Sequence, residues 1–262
     1  MVTHPEAGSA VGLVSPGEMG AAVGAALVSV GHVVLWASGG RSVASSERAA
    51  RARLTTVGDA AELHDRCAVI LSVVPPHAAL DTARVHAGFR GMYIDANAVS
   101  PSTAAQIMRC IQDDGGTAVD GGIIGPPPTK HGQTRLYLSG PGAPAASRLF
   151  DGSVVEAVVL DGDPTAASAL KMTYAAMTKG AMAMLLATNA VARELGVDHA
   201  LEDEWKRSRP GMLDQLTAAR EAADKKGWRW TAEMEEIRDT FDSVGKPSGF
   251  HQAAADVFRS WE

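Results

Sequence analysis

Residues 15–20 read Ser-Pro-Gly-Glu-Met-Gly, a composition that lets a diphosphate approach the main chain. The apolar run from Val11 to Val14 reads as a buried strand, and a helical pattern begins just beyond Pro16. A glycine-rich turn between strand and helix presents backbone N–H groups, and the helix N-terminus adds a dipole that favours anions. Pro16 suits a first helical turn, where its missing N–H costs nothing. The familiar spacing G-x-G-x-x-G carries Ser15 in place of its first glycine, followed by Gly17 and Gly20. Ser15, Pro16, Gly17, Glu18 and Met19 are therefore the candidate cofactor contacts. A purely structural turn that collects glycine is the competing reading of this stretch alone.

The next segment selects between ligands. Val33 to Trp36 is a second apolar run, which completes a β-α-β unit of the length a dinucleotide fold needs. An NAD site carries an acid just after this strand, to bind the ribose 2′-hydroxyl. Here the chain reads Ala37-Ser38-Gly39-Gly40-Arg41-Ser42. Ser38 and Arg41 suit a 2′-phosphate, because guanidinium pairs with phosphate oxygens in a bidentate manner. The expected cofactor is NADP(H); a solvated loop arginine is the alternative.

A second chemical feature lies far along the chain. Lys171 interrupts the apolar sequence Ala169-Leu170-Lys171-Met172-Thr173-Tyr174. A lysine in such a run is costly unless it faces a cleft. Tyr174 and Thr178 share its helical face, and Lys179 lies close by. Hydride transfer to a carbonyl leaves charge on oxygen, which an ammonium stabilises and to which it can donate a proton. Lys171 and Tyr174 are thus candidate catalytic residues, with a lysine snorkelling at a helix end as the structural alternative.

These residues need elements to carry them. Helical patterns at 18–30, 46–54, 59–65, 79–87 and 101–111 alternate with strand patterns at 11–14, 33–36, 68–74, 91–95, 117–120 and 134–139. Such alternation predicts an α/β, Rossmann-type doubly wound sheet with ligand loops at the carboxyl ends of its strands. Val74, Pro75 and Asn97 fall at such ends and join the candidate cofactor contacts, as does the stretch 120–128. Residues 166–195 then form one unbroken Ala/Met/Leu/Thr run, predicting a helix of roughly 40 Å or more at 1.5 Å per residue. The patterns at 199–206, 211–225, 231–243 and 248–261 are also helical. The expected division is a nucleotide-binding domain at 1–162 and an all-helical substrate and dimerisation domain at 163–262, led by the long interdomain helix. A helix this apolar must be buried on most sides, and a hundred-residue domain cannot fully cover it, which predicts a homodimer.

Composition narrows the function further. A net charge of -6 on 262 residues argues against nucleic acid or an acidic membrane as partner. Met1 to Ala10 lacks a basic n-region, and no apolar run reaches spanning length, so neither a signal peptide nor a membrane helix is expected. Cys67 and Cys110 are the only cysteines and have no metal-ligand spacing. They are expected to be buried thiols in a reducing cytoplasm, and no metal site is expected. Lys130, His131 and Arg135 follow a proline-rich loop and could meet an anionic substrate or simply be solvated. Trp228 and Trp230 are expected to pack the helical domain or a dimer.

Taken together, the sequence resembles the β-hydroxyacid dehydrogenase and 6-phosphogluconate dehydrogenase superfamily over essentially its whole length. The resemblance rests on Ser15-Pro16-Gly17-Glu18-Met19-Gly20, Gly31-His32-x-Val34, Asp95-x-Asn97 with Ser100-Pro101, Asp120-Gly121-Gly122-Ile123-Ile124-Gly125, and Lys171. More narrowly, 120–128 and 170–174 look like a branch whose short helical C-terminal domain has no assigned role. The resemblance implies that the first loop binds NAD(P), that Gly122, Ile123, Ile124 and Gly125 line a substrate cleft, and that Lys171 is the general acid/base. It also implies a dimer with its active site between domains. Relatives feed C-terminal residues into that cleft, sometimes from a partner subunit, which makes His251 a third catalytic candidate beside its reading as a structural histidine. Two positions depart from the family. Ile124-Gly125-Pro126 replaces a serine and two glycines that hold a carboxylate, and Ala175 replaces an asparagine four residues after the lysine. Imine reductases of the same fold commonly replace the lysine, so Lys171 favours a small carbonyl or hydroxy compound. Imine reduction and a non-catalytic NADP(H) sensor remain the alternatives.

Overall fold

The computed structural model describes residues 10–261. The amino-terminal stretch read for a signal peptide lies, except for Ala10, outside them. The chain divides into two compact units, Met1–Lys171 and Met172–Glu262.

The first unit is built on one eight-stranded sheet in the order β3-β2-β1-β4-β5-β6-β7-β8. The strands are β1 (Ala10–Leu13), β2 (Val33–Ala37), β3 (Thr55–Val57), β4 (Val69–Ser72), β5 (Met92–Asp95), β6 (Thr117–Ile124), β7 (Thr134–Ser139) and β8 (Val155–Val159). The first six run parallel, β6 and β7 pair antiparallel, and β8 returns parallel to β7. Chain order reverses at β1, which lies between β2 and β4. A crevice at the carboxyl ends of the strands beside such a reversal is where open α/β sheets bind ligands.

Helices α1 (Glu18–Ser29), α2 (Val43–Arg51), α3 (Ala60–Arg66), α4 (Ala79–Val85), α5 (Pro101–Gln112) and α6 (Ala143–Ser147) connect the strands. Val11, Leu13, Val34, Trp36, Val69, Leu71 and Ile94 point to one buried cluster, shared with Val23 and Leu27 of α1. Ile70, Tyr93 and Ala118 point to the other face, where Ile107 and Ile111 of α5 cover them. Near-continuous apolar strands are what a sheet covered on both faces requires. Ser100 caps α5 by accepting from the Thr103 N–H, with Pro101 at the first helical position, as the sequence predicts.

Helix α7 (Ala166–Glu194) begins in the first unit and continues in the second. The second unit adds α8 (Asp198–Ser208), α9 (Met212–Ser243) and α10 (Gly249–Arg259). Two expectations need correction here. The helices expected at 211–225 and 231–243 are a single helix of 32 residues. Gly227 does not break it: the glycine is buried within the helix, and a glycine in a helix interior costs only about 1 kcal/mol relative to alanine. As expected of a helix its own domain cannot fully cover, α7 leaves Met177, Met184 and Val191 74, 60 and 57% exposed. Trp230 packs edge-on against Phe258 at 5.1 Å, whereas Trp228 is exposed. Cys67 is buried, and burial pushes its thiol up to about 11, but Cys110 is only half-buried, contrary to the expectation for both.

Candidate functional site

The turn after β1 holds the first part of the site. Gly17 is the N-cap of α1, extended at φ -63° and ψ -179°, with no side chain capping the helix. The glycines of the turn serve different purposes. A Cβ on Gly20 would stand 2.2 Å from the Ser15 carbonyl oxygen, so the fold itself requires glycine there. A Cβ on Gly17 would meet nothing within 4 Å, and its φ suits any residue. Glycine at 17 thus leaves open space beside uncapped helix N–H groups, as a diphosphate would need. Replacing Gly17 with serine is expected to hold or raise stability, because serine is a preferred N-cap. It should nonetheless weaken NADPH binding about tenfold or more by filling that space, as thermal unfolding and a binding titration on one variant would show.

Two arginines reach this turn. Arg41, exposed in the loop after β2, donates from Nη2 to the Val14 carbonyl at 3.1 Å. Arg48, on α2, donates from Nε to the Pro16 carbonyl at 2.8 Å and from Nη2 to Ser45 Oγ at 3.2 Å. The guanidinium groups therefore hold the carbonyls on either side of Ser15. Ser42 caps α2 by accepting from the Ser45 N–H, and its hydroxyl lies 3.1 Å from that of Ser45. Ser38, by contrast, donates its hydroxyl to the Val57 carbonyl. Arg48 escaped the sequence reading; its signal was the spacing Ser42, Ser45, Arg48 along one helical face. Beside Arg41 opens a depression of about 240 Å³, lined among others by Val14, Gly39, Gly58, Leu63 and His86. His86 Nδ1 lies 2.9 Å from His64 Nε2, and burial followed by that neighbour lowers His86 to about 4.

The loops after β4 and β5 are tied together by Asn97. Its carboxamide oxygen accepts from the Val74 N–H at 2.6 Å, and its amide nitrogen donates to Ser72 Oγ and Asp95 Oδ1. The Asn97 side chain is therefore engaged within the protein, fixing the Val74-Pro75 main chain just beyond the carboxyl end of β4. This sets it apart from a residue presented outward to a ligand.

Strand β6 extends further than the sequence predicts, through Ile124 instead of Asp120. Asp95, the last residue of β5, pairs with Asp120, so Gly121 to Ile124 overhang the parallel edge and pair only with β7. Ile123 and Ile124 are buried, Ile123 within the core of the sheet, so their side chains pack inward. Gly125 turns the hairpin at φ +125°, where a Cβ would stand 2.2 Å from the Gln133 carbonyl oxygen. Its glycine answers to the turn. Gly122 faces α7: a Cβ there would lie 2.7 Å from the Ala167 carbonyl oxygen and 3.0 Å from Lys171 Cβ. The missing side chain lets the first turns of α7 lie directly on the overhanging strand, which sets half-buried Lys171 beside it.

A buried carboxylate fixes that contact. Asp120 accepts from the Ser168 hydroxyl at 2.6 Å, the Ser168 N–H at 2.8 Å and the Ser139 hydroxyl at 3.2 Å. Ser139 in turn accepts from the Ala167 N–H at 2.9 Å. Two orphan N–H groups at the start of α7 are thereby satisfied. Burial raises the Asp120 carboxyl above its ordinary range, against the pull of these hydrogen bonds. Lys171 follows Ser168 by one turn, so Asp120 positions the lysine through the helix.

The remaining candidates lie in the second unit. Tyr174 is 48% exposed. His251 is buried, its ring 4.3 Å from that of Phe241, and burial lowers its affinity for the proton. It packs over Gly180 at one wall of an apolar hollow of about 350 Å³. Lys179 forms an ion pair with Glu233 and lies 5.8 Å from the Trp230 ring centre. Among the described residues, no three His, Cys, Asp or Glu side chains converge on a metal position.

Comparison with known proteins places this geometry. Residues 192–261 match a family described as a domain of unknown function, DUF1932. Over 165 residues the chain is 31% identical to an uncharacterized 28.5 kDa protein of Methanothermus fervidus; the match covers 62% of this chain and 63% of that relative's length. Among solved structures, a conserved protein of unknown function, titled as structurally similar to 3-hydroxyacid dehydrogenases, superposes with a TM-score of 0.70 at 28% identity, covering 96% of each chain. The chain has the hydroxyacid dehydrogenase-like fold. A 3-hydroxyisobutyrate dehydrogenase from Salmonella typhimurium shares that fold at a TM-score of 0.71 and 16% identity, covering 96% of this chain and 93% of its own. So does a protein solved in complex with NADP+ and 2-OPP, at 0.66 and 17% identity, covering 95 and 93%. No described helix is long and apolar enough to cross a membrane.

Proposed function

We propose that this protein is an NADP(H)-dependent oxidoreductase acting on a small carbonyl or hydroxy compound, with Lys171 as general acid/base. The observation that carries the reading is the pairing of two features on one sheet. An open glycine turn flanked by Arg41 stands at its strand reversal, and a lysine is seated on the overhanging strand β6. The NADP+ complex of a protein with this fold supports the choice of cofactor.

In this reading Ser15, Pro16, Gly17, Glu18 and Met19 receive the diphosphate at the N-terminus of α1. Arg41 takes the 2′-phosphate, and the Val74-Pro75 main chain, held by Asn97, borders the nucleoside. Bound NADPH supplies a hydride. Lys171 holds a proton on Nζ for the oxygen on which charge develops, and Gly122 lets α7 seat that lysine directly on the overhanging strand. A second copy of the chain covers the stripe of Met177, Met184 and Val191, whose spacing of seven puts them on one face of α7. The two unpaired cysteines suit a cytoplasmic enzyme.

The test is fluorescence titration with NADPH and NADH, followed by NADPH oxidation with a panel of small ketones, aldehydes, 3-oxo acids and cyclic imines. Tighter binding of NADPH and turnover of a carbonyl compound are expected. Binding of neither nucleotide would overturn the proposal, and tight binding without any turnover would leave a sensor. Replacing Arg41 with alanine should weaken NADPH binding by about 10- to 100-fold, since hydrogen bonds to charged groups contribute about 1.5–3 kcal/mol. NADH binding should stay within about twofold, because it lacks the phosphate.

A further inference from the structure

We propose that Arg48 is a second 2′-phosphate-binding residue, and that it couples the phosphate subsite to the diphosphate turn. The inference rests on the NADP(H) reading above and extends it to a side chain eleven residues beyond β2. Arg48 uses two of its five N–H groups, Nε on the Pro16 carbonyl and Nη2 on Ser45 Oγ, and its Nη1 makes no hydrogen bond among the described residues. Arg41 likewise uses only Nη2, on the Val14 carbonyl. Neither guanidinium forms an ion pair among the described residues. Neighbouring Glu47 faces Arg51, in an exposed pair at 4.0 Å.

Two cations without a carboxylate partner among the described residues thus hold one short turn, at the carbonyls of Val14 and Pro16. The Ser45 hydroxyl, on the first turn of α2, touches Arg48 and the hydroxyl of the N-cap Ser42, and that turn carries no acid. A phosphate monoester is dianionic near neutral pH and takes several charge-assisted hydrogen bonds at once. The chemistry offered, two planar donor forks and two hydroxyls, matches that group better than it matches a ribose hydroxyl. Because Arg48 Nε also holds Pro16, a phosphate gripped by Nη1 would fix the carbonyl that precedes Gly17. Recognition of the 2′-phosphate and ordering of the turn become one event.

The experiment uses two nucleotide fragments, adenosine 2′,5′-bisphosphate and adenosine 5′-monophosphate, titrated calorimetrically into wild type, R48K and R48M. Wild type should prefer the bisphosphate. R48M should lose about tenfold or more for the bisphosphate while its affinity for the monophosphate stays within about twofold. R48K, which keeps the charge without the fork, should fall between them. Equal losses for both fragments in R48M would overturn the inference, since they would mean that Arg48 only braces the turn; an unchanged bisphosphate affinity would overturn it as well. If wild type itself shows no preference for the bisphosphate, the NADP(H) reading fails together with the inference. Should R48M not fold, S45A reads the same subsite: loss of bisphosphate affinity alone supports the assignment, and no selective loss opposes it.

Discussion

Replacing Lys171 with methionine is expected to lower kcat for the preferred carbonyl substrate by about 10²–10⁴-fold, the range a positioned proton donor contributes. The dissociation constant for NADPH should stay within about twofold. Methionine nearly matches the length of the lysine stem and fills the same half-buried position on α7, so the helix should dock as before. The charge disappears from beside Gly122, while the glycine turn, Arg41 and Arg48 keep their contacts. A lysine that only covers apolar surface would give a different result, with turnover preserved and a small change in thermal unfolding. Arginine at 171 separates charge from chemistry. It keeps a cation but holds its proton at any working pH and is longer and planar, so K171R should remain close to the methionine variant in kcat. Steady-state kinetics on the three proteins, beside NADPH titrations, decide between the two roles.

Much of this architecture was legible because it obeys local rules. The parallel strands announce themselves as short apolar runs, the glycine turn by spacing, and α5 by a serine and a proline at its start. The missed strands are the edge pieces. Strand β3 has three residues, two of them threonines facing solvent, and β8 at the other edge is only partly buried. Neither carries the continuous apolar run of a central strand. The extension of β6 was hidden for a related reason: two consecutive glycines give no apolar strand signal, but here Gly121 lies against the Asp95-Ala96 main chain and Gly122 is where α7 presses on the strand. At the site, types and spacing found Arg41 and Lys171, which stand out against their surroundings. They could not find Arg48, one arginine in a charged surface helix, because its meaning lies in a carbonyl 32 residues away. Asp120 was visible as part of a motif, but its work as the anchor of α7 depends on Ser139 and Ser168 arriving from distant parts of the chain.

That anchor yields a large stability effect with a distinctive pH dependence. Asp120→Ala is expected to destabilise the protein by about 3 kcal/mol or more, because it orphans the buried Ser168 N–H and removes a charged acceptor of three hydrogen bonds. Asp120→Asn should behave quite differently. Its carboxamide oxygen can accept from the Ser168 N–H and the Ser139 hydroxyl. Its NH₂ can donate to the Ser168 hydroxyl, which then turns to act as acceptor. The pairing survives without a charge being buried. Because burial raises the Asp120 carboxyl in the folded protein above its unfolded value, its contribution to stability is fully present below the unfolded pKa, about 3.9. As pH rises past that value the unfolded chain releases the proton first, and stability falls until the folded carboxylate ionises too. Wild type should therefore lose stability relative to D120N between about pH 4 and the raised folded pKa, and run parallel to it above. Denaturant unfolding of both proteins across that range measures the difference directly. A wild type that instead gains stability relative to D120N as pH rises would mean that the three hydrogen bonds outweigh burial, with Asp120 holding α7 as a comfortable carboxylate.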